Sequence, residues 1–497
     1  MTAPTPSEVV IIGGGMSGLA AAWELTGGAG GPTATSPRVT ILDAGERMGG
    51  KVAPTTVGDR KVDAGPDGVL ARRREFADLV GELGASDQIL PIATSGASVL
   101  ARGRIRPLPS DLSLGIPTSW SSLRRSHLLS PRGLLRALRD VVAPRPASRG
   151  HLPDRAIGGL VERKLGPEVV ATLVDPMIGG ISAGRVAEMS AAAVFPALLE
   201  AAQQRGGLMA ALAASTAPPI PGPPADASSA PAPAAPPAAF ISLAGGMHSV
   251  VDLLVDALEA RGVTMITGRS ISSLRRQTGG GWWVESNDAT TPADAVIIAA
   301  PTSVAAQLLE PHDHDAASLL RQTEYASVAV LTFEFTVGDL VLPEHGTGIL
   351  VPPGTPVPSG PRVAQRFLTT ALTFLDRKWP HLGSDGTVLL RVSVGRIDDT
   401  RPTQLDDEAL EHTVLDELAT LVEVLGPPTA SSITRWEQSL PQYKVNHLLR
   451  VAGIDAALER FDGLEVCGAA YSGVGVPACV ASGRMAARRL LGTATRA

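Results

Sequence analysis

Cysteine is nearly absent from this chain: 497 residues hold two, Cys467 and Cys479. No disulfide framework can organise a fold on that count, and a reducing, cytoplasmic compartment is expected. Long hydrophobic runs are missing as well. No uninterrupted stretch approaches the roughly 20 apolar residues that span a bilayer, and the apolar segment from Val9 to Leu25 is broken by glycines and a serine. The start, Met1 to Glu8, lacks a basic segment followed by an apolar core, so no secretory signal is expected. Positive charge is not in excess. A net charge of -6 and a pI near 5.9 argue against a general nucleic-acid binder. No convincing G-x-S-x-G, H-E-x-x-H or C-x-x-C is found, so hydrolytic and metal-centred chemistry lack a candidate site. His312 and His314, in PHDHD, have no third ligand nearby and read as a solvated loop, so no metal site is expected.

What is present begins with apolar content, at 44%. That is enough for several cores, and the length suggests two or three domains. Val9-Val-Ile-Ile12 reads as a buried parallel strand, and Met16 to Leu25 as a helix opening directly off its end. Between them lies Gly13-Gly-Gly15-Met16-Ser17-Gly18, a G-x-G-x-x-G in the context its physics needs. Gly13 permits a tight turn, Gly15 lets the backbone approach a pyrophosphate, and Gly18 allows close helix–strand packing. The phosphates would sit at the positive end of the helix dipole. Asp43, closing a second strand over Arg38 to Leu42, is placed to hold ribose hydroxyls, with Ala44 following it.

A second glycine pair follows in Arg47-Met-Gly49-Gly50-Lys51, where Arg47 or Lys51 could supply charge to phosphate. This R-x-G-G-K arrangement resembles the FAD proteins of the amine-oxidase and protoporphyrinogen-oxidase superfamily. The likeness continues in Val62 to Arg72 (VDAGPDGVLAR), with Gly65, Pro66 and Asp67 at its centre. It extends through Leu173 to Ser190, Phe240 to Leu253, Tyr325 to Thr332, Leu440 to Tyr443 and His447. Gly468 to Gly483 (GAAYSGVGVPACVASG) is similar to the C-terminal signature of the protoporphyrinogen/coproporphyrinogen oxidase family. Read on its own chemistry, that last segment is a strand, a glycine-rich turn and a helix. It can aim a helix N-terminus and backbone N–H groups at a flavin ring, stabilising its reduced anion. Gly473, Val474, Gly475 and Val476 are the candidates for ring contact, and the resemblance adds Gly468 and Ile271 as cofactor contacts. The alternative for this segment is a tight turn chosen for packing.

The resemblance implies non-covalent FAD; Cys467 and Cys479 read as buried residues, not flavin attachment points. The implied fold is α/β: a Rossmann-type FAD-binding domain, a mixed-sheet substrate domain and an inserted helical domain. The FAD-binding domain would take residues 1–91, 240–301 and 455–497, the helical domain 92–215 and the substrate domain 302–454. An Ala/Pro-rich linker would occupy 216–239. Within the expected helical domain, residues 101–150 carry ten arginines against Asp111 and Asp140. That block is open to three uses: a solvated face, a route for an anionic substrate, or a surface for acidic lipids or a partner protein.

The implied reaction is oxidation of a porphyrinogen in haem biosynthesis, with removal of six hydrogens in three two-electron rounds. Absence of a second G-x-G-x-x-G favours dioxygen as acceptor, with release of hydrogen peroxide. Arg72 and Arg73 are the candidates for substrate carboxylates, or else ordinary surface arginines. No side chain stands out as a catalytic base. Mitochondrial-type relatives carry arginine where this chain has Asp67, which leans the substrate toward coproporphyrinogen III, as in the Gram-positive type, over protoporphyrinogen IX. Rivals are a flavin amine oxidase, a carotenoid desaturase or a non-enzymatic flavin-containing tetrapyrrole carrier. An aromatic content of 3% offers little for the aromatic cage of an amine oxidase, and a desaturase acting on an uncharged polyene would have no use for Arg72 and Arg73. The expected assembly is a monomer or homodimer, with no nucleic-acid partner and an open question of peripheral contact at the inner face of a membrane.

Overall fold

Glu8–Ile12 is apolar on both faces beyond its first residue, and it forms the middle of a five-stranded, all-parallel sheet. The order is Thr264–Ile266, Arg38–Leu42, Glu8–Ile12, Ala295–Ile298, Leu464–Val466. Strands covered on both faces read as near-continuous apolar runs, which Val9–Ile12 and Ala295–Ile298 supply. The structure is a computed structural model and describes residues 6–142, 153–204, 206–216, 239–358 and 365–494. Nearly all of the expected Ala/Pro linker lies outside the described residues.

On one face of the parallel sheet, the opening helix Met16–Leu25 packs against the C-terminal helix Val476–Leu490. They share a core with Phe76, Leu79 and Leu254. Their approach is close enough to require glycine: a Cβ on Gly483 would stand 2.0 Å from the Ser17 carbonyl oxygen. The opposite face carries Val10, Ile12, Val296 and Ile298 into a second core beneath the antiparallel strands Ile271–Arg276, Trp282–Ser286 and Thr290–Ala293.

A seven-stranded mixed sheet stands beside this unit. Its order is Ala430–Pro441, Tyr325–Thr336, Thr387–Val394, Thr369–Phe374, Gly348–Leu350, Ser98–Ala101, Arg104–Pro107. Helix Asp407–Leu421 covers it, burying Leu410, Val414, Leu418 and Leu421 at helical spacing against Leu331 and Phe333. Asp406 caps that helix by accepting from Ala409 N at 2.8 Å.

The last two strands of the mixed sheet correct the expectation that residues 92–215 are helical. Ser98–Ala101 and Arg104–Pro107 form a hairpin whose central residues, Arg102 and Gly103, both have positive φ, at 55° and 72°. Such a turn matches the right-handed twist of the strands, and it is normally announced by Asn-Gly or Asp-Gly. Arg-Gly hides it. Helices follow from Trp120, around their own core of Leu123, Leu160, Leu173 and Leu198. Among them is a stretch of π-helix, Val170–Gly179, containing Pro176. Arg396 of the mixed-sheet unit, itself buried, reaches this stretch by donating to both oxygens of Asp175 at 3.2 and 3.3 Å.

Candidate functional site

The glycine fingerprint folds as its spacing requires. Gly13 has φ +109°, and a Cβ there would lie 2.6 Å from Ala299 O. A Cβ on Gly18 would lie 1.9 Å from Gly13 O, so strand end and helix touch backbone to backbone. Gly15, the N-cap of the opening helix, is different: a Cβ on it would meet nothing within 4 Å. The bare backbone therefore faces open space at a helix N-terminus, the cradle that a pyrophosphate needs.

The second glycine pair is laid directly onto the first. Gly49 N donates to Gly14 O at 2.7 Å, and a Cβ on Gly50 would stand 3.2 Å from the Gly15 Cα. Asp43 fastens the turn from the other side. Its carboxylate accepts from Gly14 N at 2.6 Å and Gly45 N at 2.7 Å. Those two bonds leave lone pairs for ribose hydroxyls, since an ionised carboxylate offers about four acceptor sites. Ala44 is exposed beside it. Ile271 begins a strand whose lead-in, Gly268 and Arg269, donates to Gly45 O and Asp43 O, each at 2.7 Å. The Ile271 side chain itself goes into the core with Val10 and Leu42.

Arg47 has an occupation the sequence did not reveal: its guanidinium donates to the carbonyls of Met48, Gly50 and Val52 and clasps its own loop. Burial lowers its pKa, against the opposing pull of Asp43 and Asp252. Lys51 is reachable by solvent yet crowded by protein, and this desolvation lowers its pKa too. Of the two cations, the Lys51 ammonium is the freer, since the Arg47 guanidinium is held by its own loop.

The C-terminal glycine-rich loop meets the same place from above. Gly468 and Gly473 both have positive φ, at 138° and 144°. Gly475 is the N-cap of the C-terminal helix, with Val474 half-buried before it, Val476 the first helical residue and Pro477 in the first turn. One turn in, the Cys479 thiol hydrogen-bonds the Ser17 side chain and lies near Lys51; burial raises its pKa. Two helix N-termini thus converge beside Gly15, while Met16 and Ser17 are buried at the join. The residues present fit an FAD-type dinucleotide: an open glycine cradle, an acid at the strand end and a second helix terminus for the ring.

A family model for flavin containing amine oxidoreductases matches residues 16–491. The chain belongs to that family. Curated relatives include a coproporphyrinogen III oxidase of Bacillus subtilis strain 168, 30% identical over 96% of this chain and 97% of that protein. Another, from Propionibacterium freudenreichii, is 32% identical over 99% of this chain and 92% of the other. The bovine protoporphyrinogen oxidase is 30% identical over 98% of each. Among solved structures, one from Exiguobacterium sp. 255-15, assigned provisionally as a protoporphyrinogen oxidase, aligns over 98% of both chains with TM-score 0.82 and 28% identity. Reduced UDP-galactopyranose mutase shares the fold, at TM-score 0.69 and 15% identity. The likeness to protoporphyrinogen/coproporphyrinogen oxidases read from the motifs therefore extends along the whole chain.

In this flavin containing amine oxidoreductase, Asp67 does not serve as an open contact. Its carboxylate accepts from Lys378 Nζ at 2.8 Å and Trp379 Nε1 at 3.1 Å. Burial would raise its pKa, but Lys378, Arg391 and the two hydrogen bonds outweigh that and hold it at about 2. Gly65 lies against Lys51, where a Cβ would stand 1.9 Å from its carbonyl oxygen, and Gly65 O accepts from Arg391 at 2.5 Å; Pro66 is half-buried between. Arg72 and Arg73 are both exposed, and Arg73 pairs with Glu75. His312 is not part of a solvated loop: it bonds Leu274 O at 2.8 Å and packs edge-on against Trp282, while Asp313 caps the next helix. No local motif marks Lys378, Trp379 or Arg391, which reach Asp67 and Gly65 from more than 300 positions away.

Proposed function

We propose that this flavoprotein oxidises coproporphyrinogen III to coproporphyrin III, with FAD held non-covalently and dioxygen as acceptor. Three two-electron rounds remove six hydrogens, so three dioxygen molecules become three of hydrogen peroxide. The observation that carries the proposal is the match, over 96% and 99% of the chain, to two coproporphyrinogen III oxidases. FAD, when bound, would supply the two-electron acceptor. Gly13, Gly15 and Gly18 with the adjacent helix would hold its pyrophosphate, Asp43 its ribose, and the 473–476 turn its ring. Non-covalent binding is supported by Cys467, whose thiol is fully buried in the core shared by the opening and C-terminal helices.

The chain's own residues bind and orient more than they transfer protons. Tyr443 donates to Ala469 O at 2.6 Å and accepts from Gly473 N at 2.7 Å, and burial pushes its phenol pKa up. His447, wholly buried, has its pKa lowered to about 4 by burial. Neither is placed as a base, which supports proton loss to solvent or among the macrocycle's own nitrogens. Among the described residues no helix is long and apolar enough to cross a membrane. Exposed Arg124, Arg125, Arg132 and Arg139, near exposed Leu135 and Val142, support a peripheral contact with an anionic surface.

A second substrate, protoporphyrinogen IX, is favoured by the bovine relative. Anaerobic mixing of the purified protein with each porphyrinogen, followed at the flavin's visible band, separates them. Faster bleaching by coproporphyrinogen III is expected. Faster bleaching by protoporphyrinogen IX moves the chain to the second reading, and bleaching by neither refutes both.

A further inference from the structure

Strand Ala430–Pro441 of the mixed sheet ends two residues before Tyr443, and Tyr443 leaves that sheet to meet the C-terminal glycine-rich loop. Its hydroxyl is used twice. It donates to the carbonyl of Ala469, near the start of the loop, and accepts from the amide of Gly473, near the end. One oxygen atom therefore spans the loop. The ring is fixed as firmly as the hydroxyl: it is 6% exposed and lies on the His447 imidazole at 3.7 Å between centroids, 12° from parallel. His447 is pinned in turn, with Nε2 on Tyr471 O at 2.8 Å and Nδ1 facing Arg450 Nη2 at 3.0 Å. The arginine can only donate, so Nδ1 accepts and Nε2 carries the proton toward Tyr471 O.

What the clasp holds is conformationally costly. Gly468 and Gly473 sit in the positive-φ region, and a Cβ on Gly473 would stand 2.5 Å from the Ala478 Cβ. Gly475, two residues on, begins the C-terminal helix. A loop with free φ choices at two glycines has no single shape unless something outside it decides, and the order of a helix terminus depends on its lead-in residues.

We propose that Tyr443 is a positioning residue: its hydroxyl clasps the 468–475 loop and so fixes the helix N-terminus and the amides that face the flavin ring. The role rests on the flavin-oxidase function proposed above. It also joins the two units, because the residue that shapes the cofactor's loop follows directly on a strand of the mixed sheet. A helix terminus stabilises nearby negative charge only within about its first turn, so a loosened lead-in favours the reduced, anionic flavin less.

The test is Tyr443→Phe, which keeps the ring on His447 and removes both hydrogen bonds. In the flavin-loaded variant, the preference for reduced over oxidised flavin is expected to drop about tenfold, a fall of roughly 30 mV for a two-electron couple. The turnover number should fall with little change in KM, and the melting temperature should stay within a few degrees of wild type. An unchanged potential in a folded, flavin-loaded variant overturns the clasp. If wild-type protein binds no flavin, it is the proposed function that fails instead. Hydrogen exchange on the wild-type chain keeps the proposal open to refutation should the variant not fold. The peptide spanning 468–475 must be protected, and exchange as fast as an exposed loop refutes the role.

Discussion

Asp67 and Lys378 are 311 positions apart, yet their side chains form one of the better-enclosed ion pairs in the protein, at 17% and 16% exposure. Trp379 donates to the same carboxylate, so removing the charge disturbs three side chains at once. Asp67→Asn should therefore lower stability at neutral pH by roughly 3 kcal/mol, the cost of stranding a largely buried ammonium. The sign of the pH dependence follows from a pKa held at about 2 in the folded state against 3.8 ordinarily. The unfolded chain takes up the proton first as pH falls, so the pair's contribution is present above about pH 4 and is lost toward pH 2. Urea unfolding of wild type and variant at pH 7 and at pH 3 should show the gap between them narrowing at the lower pH. A gap independent of pH would mean that packing, not charge, accounts for the loss.

At the scale of elements, two helices decide where a cofactor can sit. The opening helix is anchored by Gly18 against Gly13 O, and the C-terminal helix is set by Gly483 against Ser17 O. Their far ends are tied by ions. Arg488 donates to Glu24 at 2.6 Å and Arg484 lies 3.8 Å from the same carboxylate, while also pairing with Glu82 of a third helix, Arg74–Glu82. Between these ties the spacing is set by backbone contact and cannot relax. Gly483→Ala would force the helices apart at the turn where Ser17 meets Cys479. The expected loss is about 3 kcal/mol, the upper part of the range for overpacking, together with at least tenfold weaker flavin binding. Thermal melting and a flavin fluorescence titration read the two effects. Unchanged flavin affinity in a destabilised variant would show that this contact serves packing alone.

At the scale of the whole molecule, the flavin-binding unit draws on three distant stretches of chain, and the parallel sheet takes strands from residues 8–42, 264–298 and 464–466. A ligand that touches all three should hold them together. Stripping the flavin is expected to lower the melting temperature, and FAD added at about 100 times its Kd should restore about 2.7 kcal/mol. FMN should restore much less if, as proposed, the Gly13–Gly18 turn holds the pyrophosphate, which FMN lacks. Equal rescue by FMN would move the binding contribution away from that turn. Arg396, reaching from the mixed-sheet unit to Asp175 in the π-helical stretch, is a second tie of this long-range kind.

Local chemistry determined much of this protein before any folding. Gly13, Gly15 and Gly18 after a β-branched strand specify a turn that few other residues could make, and Asp43 at the next strand end completes it. Most of these contacts join neighbours within about 30 residues, Gly18 to Gly13 and Gly14 to Asp43, so spacing conveys them. The close approach of Gly13 to Ala299, by contrast, comes from a distant strand end. The parallel strands Glu8–Ile12 and Ala295–Ile298 were legible because burial on both faces demands a near-continuous apolar run. Arg38–Leu42, with Arg38 exposed and Thr40 half-buried, was legible through Val39, Ile41 and Leu42. The hairpin at 98–107 was not, because its Arg-Gly turn carries no common signal and its hydrogen-bond partner, Gly348–Leu350, lies some 250 residues on. Tertiary structure alone decided that Arg47 binds its own loop, that Asp67 belongs to Lys378 and Trp379, and that Tyr443 spans the glycine-rich loop. Each is a pairing of polar groups brought together from separate elements. Sequence fixes which groups need partners, and only the packed chain determines which partners lie within 3 Å.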